Sequence, residues 1–137
     1  MMHEKLAADY FKRAEIRRNI LDILFEKEDY ADIVRESQEI VELILKGISI
    51  LYGIEFPKAH DIGNLPYENM DLFPERLREF IPKLSKISKI LRKDRELSFY
   101  GSEDIIPLDY YTIEDGKDAI SMVDEVISMS KEFKETV

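Results

Sequence analysis

Residues 29–52 repeat apolar side chains at helical spacing. Ile33, Ile40, Ile44, Ile48 and Leu51 share one line of a helical wheel, and Val34, Val41, Leu43, Leu45 and Ile50 widen it to well over half the circumference. A helix apolar over most of its surface has to be surrounded, so this segment reads as the inner helix of a bundle. Asp29 is placed to cap its start and Gly53 to stop it. What remains polar is a narrow stripe of Arg35, Gln38, Glu42, Lys46 and Ser49, at steps of 3, 4, 4 and 3.

The flanking segments follow the same period. Residues 6–26 predict a helix with apolar positions on two flanks and Arg13 and Arg17 on the line between them. Residues 53–75, "GIEFPKAHDIGNLPYENMDLFPE", read as a long connection with a short helix after His60. Pro74 and Pro82 then punctuate a short helix that turns into a longer one, with Pro82 in its first turn and its end near Phe99. A loop, "GSEDIIPLDYY", leads to Thr112 and Asp115, a capping pair for a last helix whose packed stripe is Ile120, Val123 and Ile127. No stretch alternates cleanly enough for a strand. The prediction is an all-α, up-and-down helical bundle with one irregular corner, a single domain over residues 1–137.

Composition narrows the function classes. A net charge of −9 argues against wrapping duplex DNA, whose affinity comes largely from neutralised phosphates; a phosphate-bearing ligand would need a few positioned arginines. With no cysteine there is no disulfide, thiolate nucleophile or zinc–cysteine site. No apolar run has the length of a membrane span and "MMHEKLAADY" does not read as a signal peptide, so a cytoplasmic location is expected.

Candidate chemistry concentrates in "RKDRELSFYG", residues 92–101. Continued along the helix, Arg95 falls on the face of Leu84, Ile87 and Leu91, where a guanidinium needs a partner. Glu42 and Gln38 of the inner helix could supply it. Such a pair, with Arg35 beside it, could simply fix helix register. Alternatively part of Arg95 faces a cleft and holds phosphate, with Arg92 and Lys46 adding charge and Tyr100 a hydroxyl or stacking surface. His60, next to Asp61, invites comparison with metal phosphohydrolases, but the only other histidine is His3, so no metal and no cofactor are expected. His60 could cap its turn or lie at the same cleft. The loop over residues 103–111 could be a partner surface or ordinary packing around Pro107.

Taken together, "DYADIVRESQEIVELILKGISILYGIEFPKAHDIG", "LRKDRELSFYG" and "IPLDYYTIEDGKDAI" resemble the HEPN family (higher eukaryotes and prokaryotes nucleotide-binding), in its small stand-alone prokaryotic branch. The resemblance covers nearly the whole chain and rests on the order and spacing of several blocks. It implies a bundle of four long helices with a short extra one, a homodimer, and a separately encoded minimal nucleotidyltransferase as partner, in some cases as toxin and antitoxin. In the metal-independent RNases of the family an Arg is followed after four to six residues by a His. Here Arg95 and Glu96 match, but Tyr100 stands where that pattern has its histidine. A phenol holds its proton near neutrality, where an imidazole exchanges it. Binding of nucleotide or RNA phosphate survives this exchange better than nuclease chemistry does. The resemblance also makes Tyr100 a possible acceptor of a nucleotidyl group.

Overall fold

The computed structural model describes residues 2–56 and 62–136, the side chains of Asp94, Arg95, Glu96 and Phe99 excepted. The helices are α1 (Met2–Glu26), α2 (Tyr30–Leu51), α3 (Leu65–Glu68), α4 (Ile81–Tyr100), α5 (Pro107–Tyr110) and α6 (Ile113–Thr136). Single 3-10 turns at Ile62–Asn64, Met70–Leu72 and Glu75–Leu77 fill the irregular corner. Among the described residues there is no strand, only an isolated antiparallel bridge between Ser102 and Ile105. The short helix expected after His60 is the four-residue α3 between two 3-10 turns, and the expected helix ahead of Pro82 is a 3-10 turn.

The central position of α2 follows from its apolar circumference: α1, α4 and α6 all pack on it. Ile33, Ile40, Ile44 and Ile48 are essentially excluded from water, while Leu51 at the frayed end is half-buried. Burying side chains of this size contributes about 1.5–3 kcal/mol each before entropy is counted. The Asp29 carboxylate accepts from the Asp32 amide at 3.1 Å and so satisfies one orphan donor at the start of α2. At α6 the Thr112–Asp115 pair closes reciprocally: the Thr112 amide donates to Asp115 Oδ2 at 2.8 Å and the Asp115 amide to Thr112 Oγ1 at 3.2 Å.

α1 buries only one of its two apolar flanks, the line of Ala7, Phe11, Ala14 and Leu21. It runs antiparallel to α2, with Phe11 laid against Gly47 so closely that a Cβ there would meet the ring at 2.9 Å. The other flank, Ile16, Ile20 and Ile23, stays on the surface.

An aromatic cluster sets where α4 begins. Phe73 lies 4.7 Å from Tyr52 and 5.6 Å from Phe133 between ring centroids, and Phe80 lies 6.3 Å from Phe133. The Tyr52 hydroxyl donates to the Phe133 carbonyl at 2.8 Å, tying the end of α2 to the end of α6. These contacts seat the 70–80 segment over the C-terminal ends of α2 and α6. From there α4 runs back antiparallel to both, about 30 Å for its length, and finishes near the level where α2 and α6 start.

Candidate functional site

The end of α4 is built by a core face and an abrupt stop. Ile81, Leu84, Ile87 and Leu91 are buried at 0–3% exposure, a line that keeps the helix clamped on α2. Arg95 continues this line as a backbone position of α4, and Glu96 follows it; their side chains lie outside the described residues. Arg92, one turn earlier, is exposed, and Tyr100, the last residue of α4, leaves 75% of its surface in water.

Gly101 ends the helix with φ 73° and ψ −158°, its amide donating to the Leu97 carbonyl at 2.9 Å. A Cβ at this position would lie 2.6 Å from the Ile105 carbonyl oxygen, so glycine is needed for space as well as for torsion. The Ser102–Ile105 bridge then folds the chain back on itself, through hydrogen bonds of 3.1 and 3.2 Å. Tyr111 is buried and meets the Tyr110 ring edge-on at 5.1 Å, while Ile106, Leu108 and Tyr110 remain exposed. The 103–111 segment leaves Ile106, Leu108 and Tyr110 on the surface among the exposed acids Glu103, Asp104 and Asp109.

The polar stripe of α2 divides in two. Gln38 and Ser49 are buried, and neither the Gln38 Oε1 nor the Ser49 Oγ has a hydrogen-bond partner among the described residues. Glu42 is half-exposed; Gln38 Nε2 donates to it at 3.1 Å and Lys46 Nζ lies 3.8 Å from it. The described contacts of Arg35 go to Asp32 at 3.6 Å, Glu39 at 3.4 Å and Glu36 at 3.9 Å. The carboxylate most withdrawn from water on α2 is Glu36, with a side chain 6% exposed and Arg17 Nε only 2.6 Å away. Arg17 also reaches Glu39 at 2.5 Å. The hydrogen bond that Arg17 donates to Glu36 holds its guanidinium above the ordinary arginine range, against the opposing effect of burial. The helical wheel sets Arg17 between two apolar flanks but does not identify Glu36 and Glu39 as its partners. The signal lay in Glu36 itself, a lone acid at a wheel position otherwise occupied by the core.

The structure does not bring all the candidate residues together. Lys46 lies toward the C-terminal end of α2, near the level where α4 starts, and lines a shallow recess with Arg17, Glu39, Glu42 and Leu43 on the α1 side. It adds no charge at the Tyr100 end. His60 lies outside the described residues. Among the described residues no group of three or more His, Asp or Glu is placed to hold a metal ion, and no helix is long and apolar enough to cross a membrane.

Four long helices, with α1, α4 and α6 packed on a central α2, define an all-α helical-bundle class. The HEPN domain model matches residues 7–133, and the chain belongs to the HEPN domain family. A protein of Methanocaldococcus jannaschii that carries the name "Putative toxin MJ1304" is 31% identical over 134 residues, covering 94% of this chain and 88% of the relative. No solved structure matched the chain.

Proposed function

We propose that this chain is a single-domain HEPN protein that binds nucleotide or RNA phosphate at the C-terminal end of α4. In this reading it acts as a homodimer and as the partner subunit of a separately encoded minimal nucleotidyltransferase, in a toxin–antitoxin-like pair. One observation carries the site: the Tyr100 ring, 75% exposed, ends a helix whose last turns bear Arg92, Lys93 and Arg95. Guanidinium groups pair phosphate through fork-like hydrogen bonds, and an exposed tyrosine face offers a platform for a base. The toxin-like name of the relative supports the setting.

The dimer has its own support. Ile16, Ile20 and Ile23 form a line on the outer face of α1, exposed by 54%, 39% and 57%. A stripe at steps of 4 and 3 is the spacing a packed partner helix covers. Light scattering on the purified protein tests this: Ile20→Glu is expected to shift a dimer toward monomer.

Binding is tested by titrating wild type and Arg95→Ala with mononucleotides and single-stranded RNA. Arg95→Ala is expected to weaken binding at least tenfold, the loss of about one charge-assisted contact. A wild type that binds neither ligand refutes the reading.

The relative's name also favours a second reading, a metal-independent RNase in which Arg95 stabilises the scissile phosphate and Tyr100 handles the proton. Labelled RNA incubated in EDTA decides it: cleavage that disappears in Arg95→Ala supports the nuclease, and its absence in wild type excludes it. Mass spectrometry after co-expression with the nucleotidyltransferase would show whether Tyr100 accepts a nucleotidyl group.

A further inference from the structure

The N-terminal half of α4 borders a groove of about 500 Å³, far from the Tyr100 end. Its floor is a fixed polar contact: Ser85 Oγ donates to Asn64 Oδ1 at 3.1 Å, joining the 62–64 turn to α4, and Asn64 Nδ2 donates to Glu68 at 3.1 Å. One wall is the Tyr67 ring, 52% exposed, and the other carries Lys86, Lys89 and the half-open side chain of Ile90. Lys86 and Lys89 are exposed and form no ion pair among the described residues, in contrast to Lys83, which is engaged by Glu125 at 2.8 Å.

The cations do not stop at the groove. Lys93 follows Lys89 by one turn, is likewise exposed, and has no ion pair among the described residues. Lys86, Lys89, Lys93 and Tyr100 are separated by 3, 4 and 7 positions, the repeat of a single helix face. The face spans about 21 Å at 1.5 Å per residue. On a molecule of net charge −9, a line of lysines without an ion pair among the described residues is a local concentration of positive charge. Ammonium groups on flexible stems follow a phosphate backbone without demanding one geometry, and a tyrosine beside them accepts an unpaired base on its face.

We infer that the groove between Tyr67 and Lys86–Lys89 is a second contact for single-stranded RNA, whose backbone follows the lysine face of α4 toward Tyr100. The inference rests on the RNA-binding reading of the α4 end. It adds where the strand leaves that end, and it names Tyr67, Lys86 and Lys89 as positions that bind without chemistry.

The test uses fluorescence anisotropy with the full chain, a labelled single-stranded RNA of about ten nucleotides and a series of salt concentrations. For single strands the slope of log K against log salt is about 0.7 per neutralised phosphate, so Lys86→Gln/Lys89→Gln is expected to lower it by about 1.4. Tyr67→Ala is expected to weaken binding about tenfold with the slope unchanged, the signature of lost stacking. All three side chains are exposed, and circular dichroism is expected to show the variants folded. A slope that stays at the wild-type value in the double-lysine variant overturns the inference. So does AMP binding that is lost in that variant while RNA binding persists, since the groove would then hold a free nucleotide. If Arg95→Ala weakens RNA binding and the lysine variant does not, only the groove falls. If the lysine variant weakens it and Arg95→Ala does not, the groove stands and the reading of the α4 end falls. A wild type that binds no RNA overturns both.

Discussion

Replacing Arg17 by methionine removes the cation at the centre of the α1–α2 interface while keeping most of the side-chain volume. Arg17 bonds Glu36 at 2.6 Å and Glu39 at 2.5 Å; without it, Arg35 faces Asp32, Glu36 and Glu39. Glu36 suffers most, because its side chain is only 6% exposed and water cannot take the place of the guanidinium. Breaking a buried pair from one side costs about 3–5 kcal/mol, and the one-third exposure of Arg17 reduces this to about 2–3 kcal/mol. With an unfolding entropy of about 2.1 cal/mol/K per residue, the loss corresponds to a Tm decrease of about 7–10 °C. Glu36→Gln removes a charge instead of stranding one: Arg17 keeps Glu39, and the amide oxygen can still accept from Arg17 Nε. That variant is expected to cost only about 1 kcal/mol. Urea denaturation of both single variants and the double variant reads the asymmetry and the coupling. A Glu36→Gln variant as unstable as Arg17→Met, or an Arg17→Met variant within about 0.5 kcal/mol of wild type, would refute the argument that stranded charge dominates.

Other positions yield expectations of the same kind. Burial pushes the Tyr52 hydroxyl above the ordinary tyrosine range, with Arg76 partly opposing, so the stability it contributes is complete below that range and is lost as the pH climbs through the raised value. Tyr52→Phe should therefore cost about 1 kcal/mol at neutral pH, with the gap to wild type closing above about pH 10 in urea titrations; a pH-independent gap would contradict this. Gly47→Ala gains about 1 kcal/mol of helix propensity but sets a Cβ 2.9 Å from the Phe11 ring, and overpacking of about 1–3 kcal/mol should leave it neutral or destabilising. In a Phe11→Leu background the same substitution should become stabilising, which thermal melts of the four proteins would show. Gly101→Ala combines a φ of 73° and a ψ of −158° with a contact to backbone at 2.6 Å, so a loss of about 1–3 kcal/mol is expected by chemical denaturation.

The helical content of the chain was legible because its periods are long and its stops are chemical. Asp29, Gly53, Pro82 and the Thr112–Asp115 pair mark ends that backbone hydrogen bonding requires, and the apolar breadth of α2 marks it as central. Residues 53–80 were less legible. The path of residues 70–80 is decided by Tyr52, Phe73, Phe80 and Phe133, aromatic residues far apart in sequence that meet only after the bundle closes. The position of Lys46 shows the consequence. A helical wheel gives the angle of a side chain about its own axis, not its level relative to a neighbouring helix. Because the aromatic cluster starts α4 beside the end of α2, Lys46 stands near the beginning of α4 and away from Arg92 and Tyr100.

The same limit applies to charge. In the sequence Lys83, Lys86, Lys89 and Lys93 are equivalent members of a basic run on a half-polar helix, and such a run is ordinarily a solvated face. Folding distinguishes them: α6 supplies Glu125 to Lys83, whereas the described surroundings of Lys86, Lys89 and Lys93 contain no carboxylate within ion-pair distance. Three lysines without an ion-pair partner among the described residues, on one helix face, give an acidic protein a local cluster of positive charge there. The net charge of −9 thus excludes a broad phosphate-binding field without excluding a narrow one. The narrow one proposed here lies along α4, on the helix that also carries Arg92 and Tyr100.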